Sequence, residues 1–408
     1  MRALLILVLV APAFPDEAAE RAERLAMARL GFDARLKLAD LLREDGKRAE
    51  ALGAYARALD HFEFALAAAE SKVEVALGGR AGGRRPADNP AERGLKWLAA
   101  HQDDTGAWDA DGFMKHDPEA DRCDGRGAAT ADVAVTGLAT LAFLGAGYLD
   151  RGGPPDNPFS GNVKEALRFL LASQKEDGSF VEGSLEGNAI AAVAVCEAFA
   201  LTRNPVYRLP AERAVGFLRK QQAPGAAWKS ATGRDASLTA WCVSALASAR
   251  GAGIEVPERA FADVLTWIDS VTDRGTGRVG DAATTEGATA AAILTRTLCG
   301  QGPLAVEAIP KGAALCAAKP PVWNAEEGMI DMDSWWWGTR ALFEVGGKPW
   351  TAWSARLKTA IVDRQQTVGS RAGSWDPVGV EGGRVHATAL MTMNLEVYYR
   401  YANVLGAR

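Results

Sequence analysis

Asp331 and Asp333 stand one residue apart at the start of an apolar run that contains three consecutive tryptophans, Trp335 to Trp337. Paired carboxylates can divide acid and base roles between them, because burial and a neighbouring charge raise the pKa of one member. Such pairs also suit chemistry on sugar rings. A carboxylate at a helix start can instead cap the helix. The pair therefore marks a candidate site whose chemistry depends on the elements around it.

The apolar run is one of six Ala-rich stretches that predict the inner helices of a ring. The stretches begin near Thr130, Asn188, Asp235, Glu286, Asp331 and His386. Their small side chains suit crowded inner helices, and the charged amphipathic segments between them suit an outer layer. The spacing of the stretches is that of one helical hairpin with its loops. The sequence therefore predicts an all-α fold, an (α/α)6 toroid of six helical hairpins.

Parallel inner helices of a toroid begin at the same end, so their first polar residues are expected to meet at one mouth. We predict that the central cavity is lined by Asp132, Asn188, Asp235, Trp241, Trp335, Trp336 and Trp337. The aromatic faces of such tryptophans can stabilise cations, but a helical aromatic cluster can equally fill the ring as core. Both alternatives stay open at the level of sequence.

A turn motif recurs between these stretches. Each copy ends an amphipathic helix with a Gln, a glycine-containing turn and an aromatic residue. The copies run from Gln102 to Trp108, Gln174 to Phe180, Gln222 to Trp228 and, more weakly, Gln366 to Trp375. These turns resemble the prenyltransferase and squalene oxidase repeats of terpenoid cyclases and protein prenyltransferase β-subunits. The resemblance spans roughly residues 91 to 408 and implies a terpenoid cyclase-like toroid.

The prenyltransferase resemblance implies a metal site. Those enzymes hold a catalytic zinc with an Asp and a Cys one residue apart and with a His at the start of the last inner helix. Asp331 matches the Asp, Asp333 takes the place of the Cys, and His386 matches the His. Two carboxylates and one imidazole can still hold zinc or another divalent ion, but the thiolate ligand is missing. His386 can also be an ordinary packed histidine without metal.

The cyclase resemblance implies acid catalysis by the same residues. Squalene-hopene-type cyclases protonate their substrate with the middle Asp of an Asp-x-Asp-Asp-Thr motif. In this chain Asp333 matches the middle Asp, but Ser334 and Trp335 replace the two residues that follow it. Either resemblance thus names Asp331, Asp333 and His386 as candidate catalytic residues, and each family motif is incomplete.

The residues before the toroid predict three further segments. Residues 1 to 16 hold a short apolar run with a small-x-small pattern, which predicts a signal peptide in a bacterial-type chain. Residues 17 to 78 predict a tetratricopeptide-like helical hairpin that offers a surface to a protein partner, and residues 79 to 90 predict a linker. We therefore expect a periplasmic or secreted protein with no transmembrane span in its mature chain.

Composition and missing motifs exclude several function classes. A net charge of -5 over 408 residues, without a basic cluster, argues against nucleic acid as a partner. The sequence has no phosphate loop, dinucleotide fingerprint, nucleophile elbow or His-Glu-x-x-His motif. Its five cysteines are an odd number, and Cys299 with Cys316 is the pair considered for a disulfide.

These observations lead to two hypotheses. The first is an exported toroid that binds or scaffolds without catalysis, has an apolar central cavity and needs no cofactor. The second is an isoprenoid-handling enzyme, prenyltransferase- or cyclase-like, that uses Asp331, Asp333 and His386, with a divalent metal such as zinc as the cofactor to test for. A lipid or isoprenoid is the expected ligand in both.

Overall fold

A computed structural model describes residues 89–151, 157–223, 227–230, 233–280, 285–303, 305–324 and 330–397. The predicted signal peptide, N-terminal hairpin and most of the linker lie outside these residues and stay predictions. The described residues form twelve α-helices and almost no strand. The all-α prediction is confirmed.

The helices alternate between an outer and an inner layer. The outer helices are α1 (Pro90–Ala100), α3 (Ser160–Ser173), α5 (Pro205–Gln221), α7 (Glu258–Ser270), α9 (Ala308–Ala318) and α11 (Gly347–Val362). The inner helices are α2 (Asp132–Gly145), α4 (Leu185–Thr202), α6 (Ala236–Gly251), α8 (Glu286–Leu298), α10 (Met332–Val345) and α12 (Gly383–Leu395). Short 3-10 turns cover Phe113–His116, Glu119–Asp121 and Gly369–Arg371, and strands β1 (Lys229–Ser230) and β2 (Gly233–Arg234) pair antiparallel.

The inner helices close into a ring. Each packs against the next, from α2 through α4, α6, α8 and α10 to α12, and α12 packs against α2. After their first turns, α4, α6, α10 and α12 are buried almost all round, because neighbours cover both sides and the outer layer covers the back. Of the described helices, α4 is long and apolar enough to cross a membrane, and its central place in the ring accounts for that composition.

Within the described residues, the recurring Gln ties a hairpin to the next at four of the six junctions of the ring. Gln174 donates its amide to the carbonyl of Gly178 in its own turn and to that of Pro210 in the next outer helix, over 3.3 and 2.9 Å. The equivalent bridges run from Gln102 to Gly106 and Asn162, from Gln222 to Ala260, and from Gln365 to Gly373 and Pro90. The last bridge returns to α1 and so joins the last hairpin to the first.

This pattern corrects one residue of the predicted motif. The sequence suggested Gln366 for the last copy, but Gln365 makes the bridge and is buried, whereas Gln366 donates to Asp376 over 2.9 Å. The turn in this copy is longer than in the others, which shifts the alignment by one residue. The side chain that points into the seam between the first and last hairpins is therefore the earlier of the two.

The aromatic residues of the turns lock each turn onto its own outer helix. The indole N–H of Trp108 donates to the carbonyl of Leu98 over 2.8 Å, and that of Trp228 donates to Leu218 over 2.7 Å. Trp375 donates to Ile361 in the same way. These indoles bind carbonyls in the last turns of the outer helices, where fewer backbone N–H groups are available as donors. The turn aromatics thus form the fold, as expected from the repeat.

The five cysteines are free thiols, and four of them are buried. Cys299 and Cys316 form no disulfide. Each packs instead as a small apolar side chain, which is common for cysteine in a core.

Candidate functional site

The inner helices all begin on one side of the ring, and their first turns form its mouth. Asp331 precedes α10 as its N-cap: its Oδ1 accepts from the backbone N–H of Ser334 over 2.9 Å, and its Oδ2 accepts from the Ser334 hydroxyl over 2.6 Å. Both carboxylate oxygens are therefore occupied within the helix start. Asp331 has a structural role that needs no ligand.

Three other predicted polar residues also bind backbone. Asp235 caps α6 by accepting from Ser237 and Leu238. Asp132 accepts from the N–H of Ala110 over 2.9 Å. Asn188 accepts from Phe180 over 2.6 Å and donates to the carbonyls of Val181 and Ser184.

The position of Asn188 recurs around the ring. Thr136, Thr289 and Thr388 accept from Trp108, Val279 and Trp375, the residues that end the corresponding turns. A polar side chain at this point therefore fastens the turn to its inner helix. The prediction that Asn188 lines the cavity has no support in this geometry, because its side chain is fully used by the turn.

Asp333 and His386 face each other across the mouth. The Nε2 atom of His386 lies 3.7 Å from Oδ1 of Asp333, and the Asp333 side chain is half exposed. Asp333 is the second residue of α10, and His386 is in the first turn of α12. Of the three residues predicted to act together, these two meet.

Glu186 is a mouth residue that the sequence analysis missed. It is the second residue of α4, the same position that Asp333 has in α10, and its side chain is accessible to solvent. Burial by the surrounding protein, with the negative charges of Asp333, Asp235 and Glu381, raises the pKa of Glu186 to about 7, and His386 opposes the shift. A carboxyl group inside a concave mouth touches water but is also surrounded by protein, and the surrounding protein makes its charged form less stable. We call Glu186, Asp235, Asp333, Glu381 and His386 the acidic mouth.

Four tryptophans of α6 and α10 are buried in the packing of these two helices. Trp241, Trp335, Trp336 and Trp337 are each at most 4% exposed. The rings of Trp241 and Trp336 stack at 6.2 Å, Trp337 meets Trp241 edge-on at 4.9 Å, and the guanidinium of Arg340 lies 5.1 Å from the Trp336 ring. These side chains therefore contact protein over almost their whole surface. Of the two alternatives for the tryptophans, the structure shows the packed one.

Asp331, Asp333 and His386 do not converge as a ligand set. Within the described residues, two other groups bring three ligand atoms within 4.8 Å of one another: His101 with Asp117 and Cys123, and Asp109 with Asp111 and Asp132. Asp331 turns its oxygens to Ser334, away from a shared ion. This arrangement is a poor fit to a metal ion bound by Asp331, Asp333 and His386. Metal analysis of the purified protein tests that prediction.

Comparison with known proteins adds information on the fold. No family model matches the chain, and no curated protein sequence matches it. Solved structures do. The apo type II terpene cyclase MstE from Scytonema superposes with a TM-score of 0.53 and 13% identity, over 76% of this chain and 97% of the cyclase. A variant of MstE in complex with its substrate, geranylgeranyl dihydroxybenzoate, gives a TM-score of 0.53, 12% identity, and coverage of 76% and 97%.

A glycosidase shares the same architecture. An inactive variant of the α-1,6-mannanase GH76A of Salegentibacter, with two aspartates replaced and α-1,6-mannotetrose bound, superposes with a TM-score of 0.51 and 13% identity. The match covers 76% of this chain and 98% of the mannanase. The terpenoid cyclase-like α/α toroid predicted from the repeats is confirmed, and at these identities the likeness concerns the fold alone.

Proposed function

We propose that this chain is a binding protein whose ligand sits on the acidic mouth, and that the ligand carries a neutral or cationic head group on an isoprenoid-like chain. The observation that carries the proposal is the charge of the mouth. Four carboxyl groups face one imidazole there, so the local field attracts cations and repels anions.

The packed tryptophans favour binding over enclosed catalysis. A cyclase must surround its substrate and exclude water while the carbocation reacts. Among the described residues, the tryptophans of α6 and α10 pack against one another and are almost inaccessible to solvent, which supports a ligand that lies on the mouth. The isoprenoid part of the proposal is supported by the toroid fold shared with MstE, which binds geranylgeranyl dihydroxybenzoate.

A series of three ligands that share the geranyl chain and carry a cationic, neutral or anionic head group tests this proposal. Geranylamine, geraniol and geranyl diphosphate are titrated into the full chain, with binding read from tryptophan fluorescence and calorimetry. We expect the amine to bind most tightly and the diphosphate most weakly. The double variant Glu186→Gln with Asp333→Asn should lose the preference for the amine. Glu258→Gln, the same type of change on the outer helix α7, is the control, and preferred binding of the diphosphate would refute the proposal.

We also propose export and a protein partner, on sequence grounds. The apolar run with a small-x-small pattern in residues 1 to 16 supports cleavage by a signal peptidase, and residues 17 to 78 supply the partner surface. N-terminal sequencing of the protein from the non-cytoplasmic fraction should begin near residue 17. An intact Met1 in the cytoplasmic fraction would contradict export.

A second function, acid catalysis at the mouth, is favoured by one observation. A carboxyl group whose pKa is about 7 holds a proton in part of the molecules at neutral pH and can donate it, and an ionised neighbour can take one up. Glu186 would be the proton donor, with Asp333 and His386 as its partners.

Incubation in deuterated water separates catalysis from binding. Protonation of a double bond in geraniol would place deuterium on carbon, which mass spectrometry of the recovered compound detects. The binding proposal predicts no incorporation above a protein-free sample. Incorporation that disappears in Glu186→Gln would instead establish the enzyme.

A further inference from the structure

We propose that His101, Asp117 and Cys123 bind a zinc ion at the seam between the first and last hairpins. His101 ends α1, and Asp117 and Cys123 lie in the loop before α2. Nε2 of His101 is 2.8 Å from Oδ1 of Asp117 and 4.0 Å from Sγ of Cys123. Imidazole, carboxylate and thiolate are the three side-chain ligands that zinc prefers. These residues differ from Asp331, Asp333 and His386.

The hydrogen bond at Nδ1 orients the His101 ring so that Nε2 points toward Asp117 and Cys123. Its Nδ1 lies 2.7 Å from the carbonyl oxygen of Trp97, which can only accept, so Nδ1 carries the proton. Nε2 then points to Oδ1 of Asp117 over 2.8 Å and is the ring nitrogen available to a metal ion. A backbone carbonyl on the far nitrogen is the usual support of a metal-bound histidine.

The other two side chains are held in place too. The second oxygen of Asp117, Oδ2, accepts from the N–H of Cys123 over 2.8 Å, which fixes both residues relative to each other. The His101 ring stacks on Trp97 at 4.0 Å and meets Phe113 edge-on at 5.9 Å. His101 and Cys123 are buried, and so is the Asp117 side chain. Such a set pays little ordering entropy on binding an ion.

The distances fit a tetrahedral ion after a small adjustment. Zinc bonds of the usual length would place nitrogen, oxygen and sulfur ligands about 3.3–3.6 Å apart. The observed 2.8 and 4.0 Å bracket this range. Without an ion, the Cys123 thiol donates a hydrogen bond to the Asp117 carboxylate, and zinc would take the place of the thiol proton and bind all three side chains.

The site has an entry path and an open fourth position. His101 and Asp117 line a surface cleft of about 300 Å³, together with Lys96, His116 and Ser370. A water or a ligand in the cleft can complete the coordination. Ser370 belongs to the last turn, where its carbonyl accepts from Trp97 and its N–H donates to Asp121. An ion here therefore stabilises the contact that closes the ring.

Zinc analysis of the full chain, purified without chelator, tests the proposal. We expect about one zinc per chain in the wild type and its loss in Cys123→Ser. Cys316→Ser makes the same change at a buried cysteine elsewhere and should keep the zinc. His386→Ala should also keep it, whereas loss in that variant with retention in Cys123→Ser would move the ion to the mouth and overturn the proposal.

A second measurement covers the case in which Cys123→Ser does not fold. Cobalt is titrated into metal-stripped wild type, and a thiolate-to-cobalt charge-transfer band should saturate at one equivalent. No zinc in the purified wild type together with no cobalt band would refute the site, and neither result depends on ligand binding at the acidic mouth.

Discussion

The carboxyl group of Glu186 is reachable by water and yet takes up a proton near neutral pH. Burial by the surrounding protein raises the pKa of Glu186, and so do three carboxylates in the same mouth, the N-cap of α6, the second residue of α10 and Glu381 before α12. Ionising Glu186 there adds a negative charge to a negative site. The carboxylates of the acidic mouth therefore repel one another, and this repulsion lowers the stability of the folded protein.

Replacing Glu186 by Gln should stabilise the protein as the pH rises. The folded-state pKa of about 7 lies above the ordinary value of 4.5, so the folded state resists ionisation and the wild type loses stability from about pH 4.5 to 7. Glu186→Gln lacks this loss. We expect equal stability near pH 4 and a gain on the order of 1 kcal/mol at pH 8, reduced by solvent screening. Urea unfolding at both pH values measures it, and an equal gain in Glu258→Gln would contradict the argument.

Single residues of the mouth were partly predictable. Asp333 and His386 were found because each stands at the start of an apolar stretch, and they do meet. Glu186 was missed because Asn188, two residues later, is the more conspicuous polar residue. Aligning the inner helices by their first residue would have matched Glu186 to Asp333. The partners of Asp331 and Asn188 depend on local loop geometry, which sequence spacing does not determine.

At the scale of elements, the turn between outer and inner helix is the repeating unit that builds the ring. Its glycine adopts a left-handed conformation and lies directly against the next outer helix. At Gly178, φ is +93°, and a Cβ atom would be 2.2 Å from the carbonyl oxygen of Arg213. The Gln bridge and the close glycine therefore act together to set the distance between hairpins.

Gly178→Ala should destabilise the protein, and Gly216→Ala should not. The first change adds a clash with backbone and a positive φ, which we expect to cost at least ~1–3 kcal/mol. Gly216 is inside α5 and a Cβ there would meet nothing within 4 Å, so alanine should stabilise by about 0.5–1 kcal/mol. Thermal unfolding compares the two. Equal effects would show that the turn does not need its glycine.

The elements were predictable because their signals are local and repeated. Apolar stretches, amphipathic segments and Gln turns each recur, and the six hairpins follow from them. The packing of Trp335 to Trp337 was not predictable, since the same residues suit a lined cavity and a filled one. The decision depends on the width of the ring, which arises from contacts between distant helices.

For the whole molecule, closure of the ring joins residues that lie far apart in sequence. Gln365 donates to Pro90 and accepts from Arg93, so the last hairpin is bound to the first outer helix. The same seam carries the proposed zinc site and the contacts of Ser370. Stability of the toroid therefore depends on a few buried polar groups at this seam.

Gln365→Ala should weaken closure far more than Gln366→Ala. Loss of the buried amide leaves the carbonyls of Pro90 and Gly373 without it, at an expected cost of about 2–3 kcal/mol. Gln366 loses one partly exposed bond to Asp376, and we expect less than ~1 kcal/mol. Denaturant unfolding measures the loss of unfolding free energy in each variant. In Gln365→Ala, hydrogen exchange should increase most, relative to wild type, in α1. A larger effect at Gln366 would mean that the seam is built differently.

The proposed function requires that the ligand bind at the acidic mouth. Carbodiimide labelling of carboxyl groups, mapped by mass spectrometry with and without geranylamine, tests this directly. We predict that the amine protects Glu186 and Asp333 and leaves Glu258 on α7 equally reactive. Protection that spares the mouth and appears elsewhere, or no protection at saturating amine, would contradict the account.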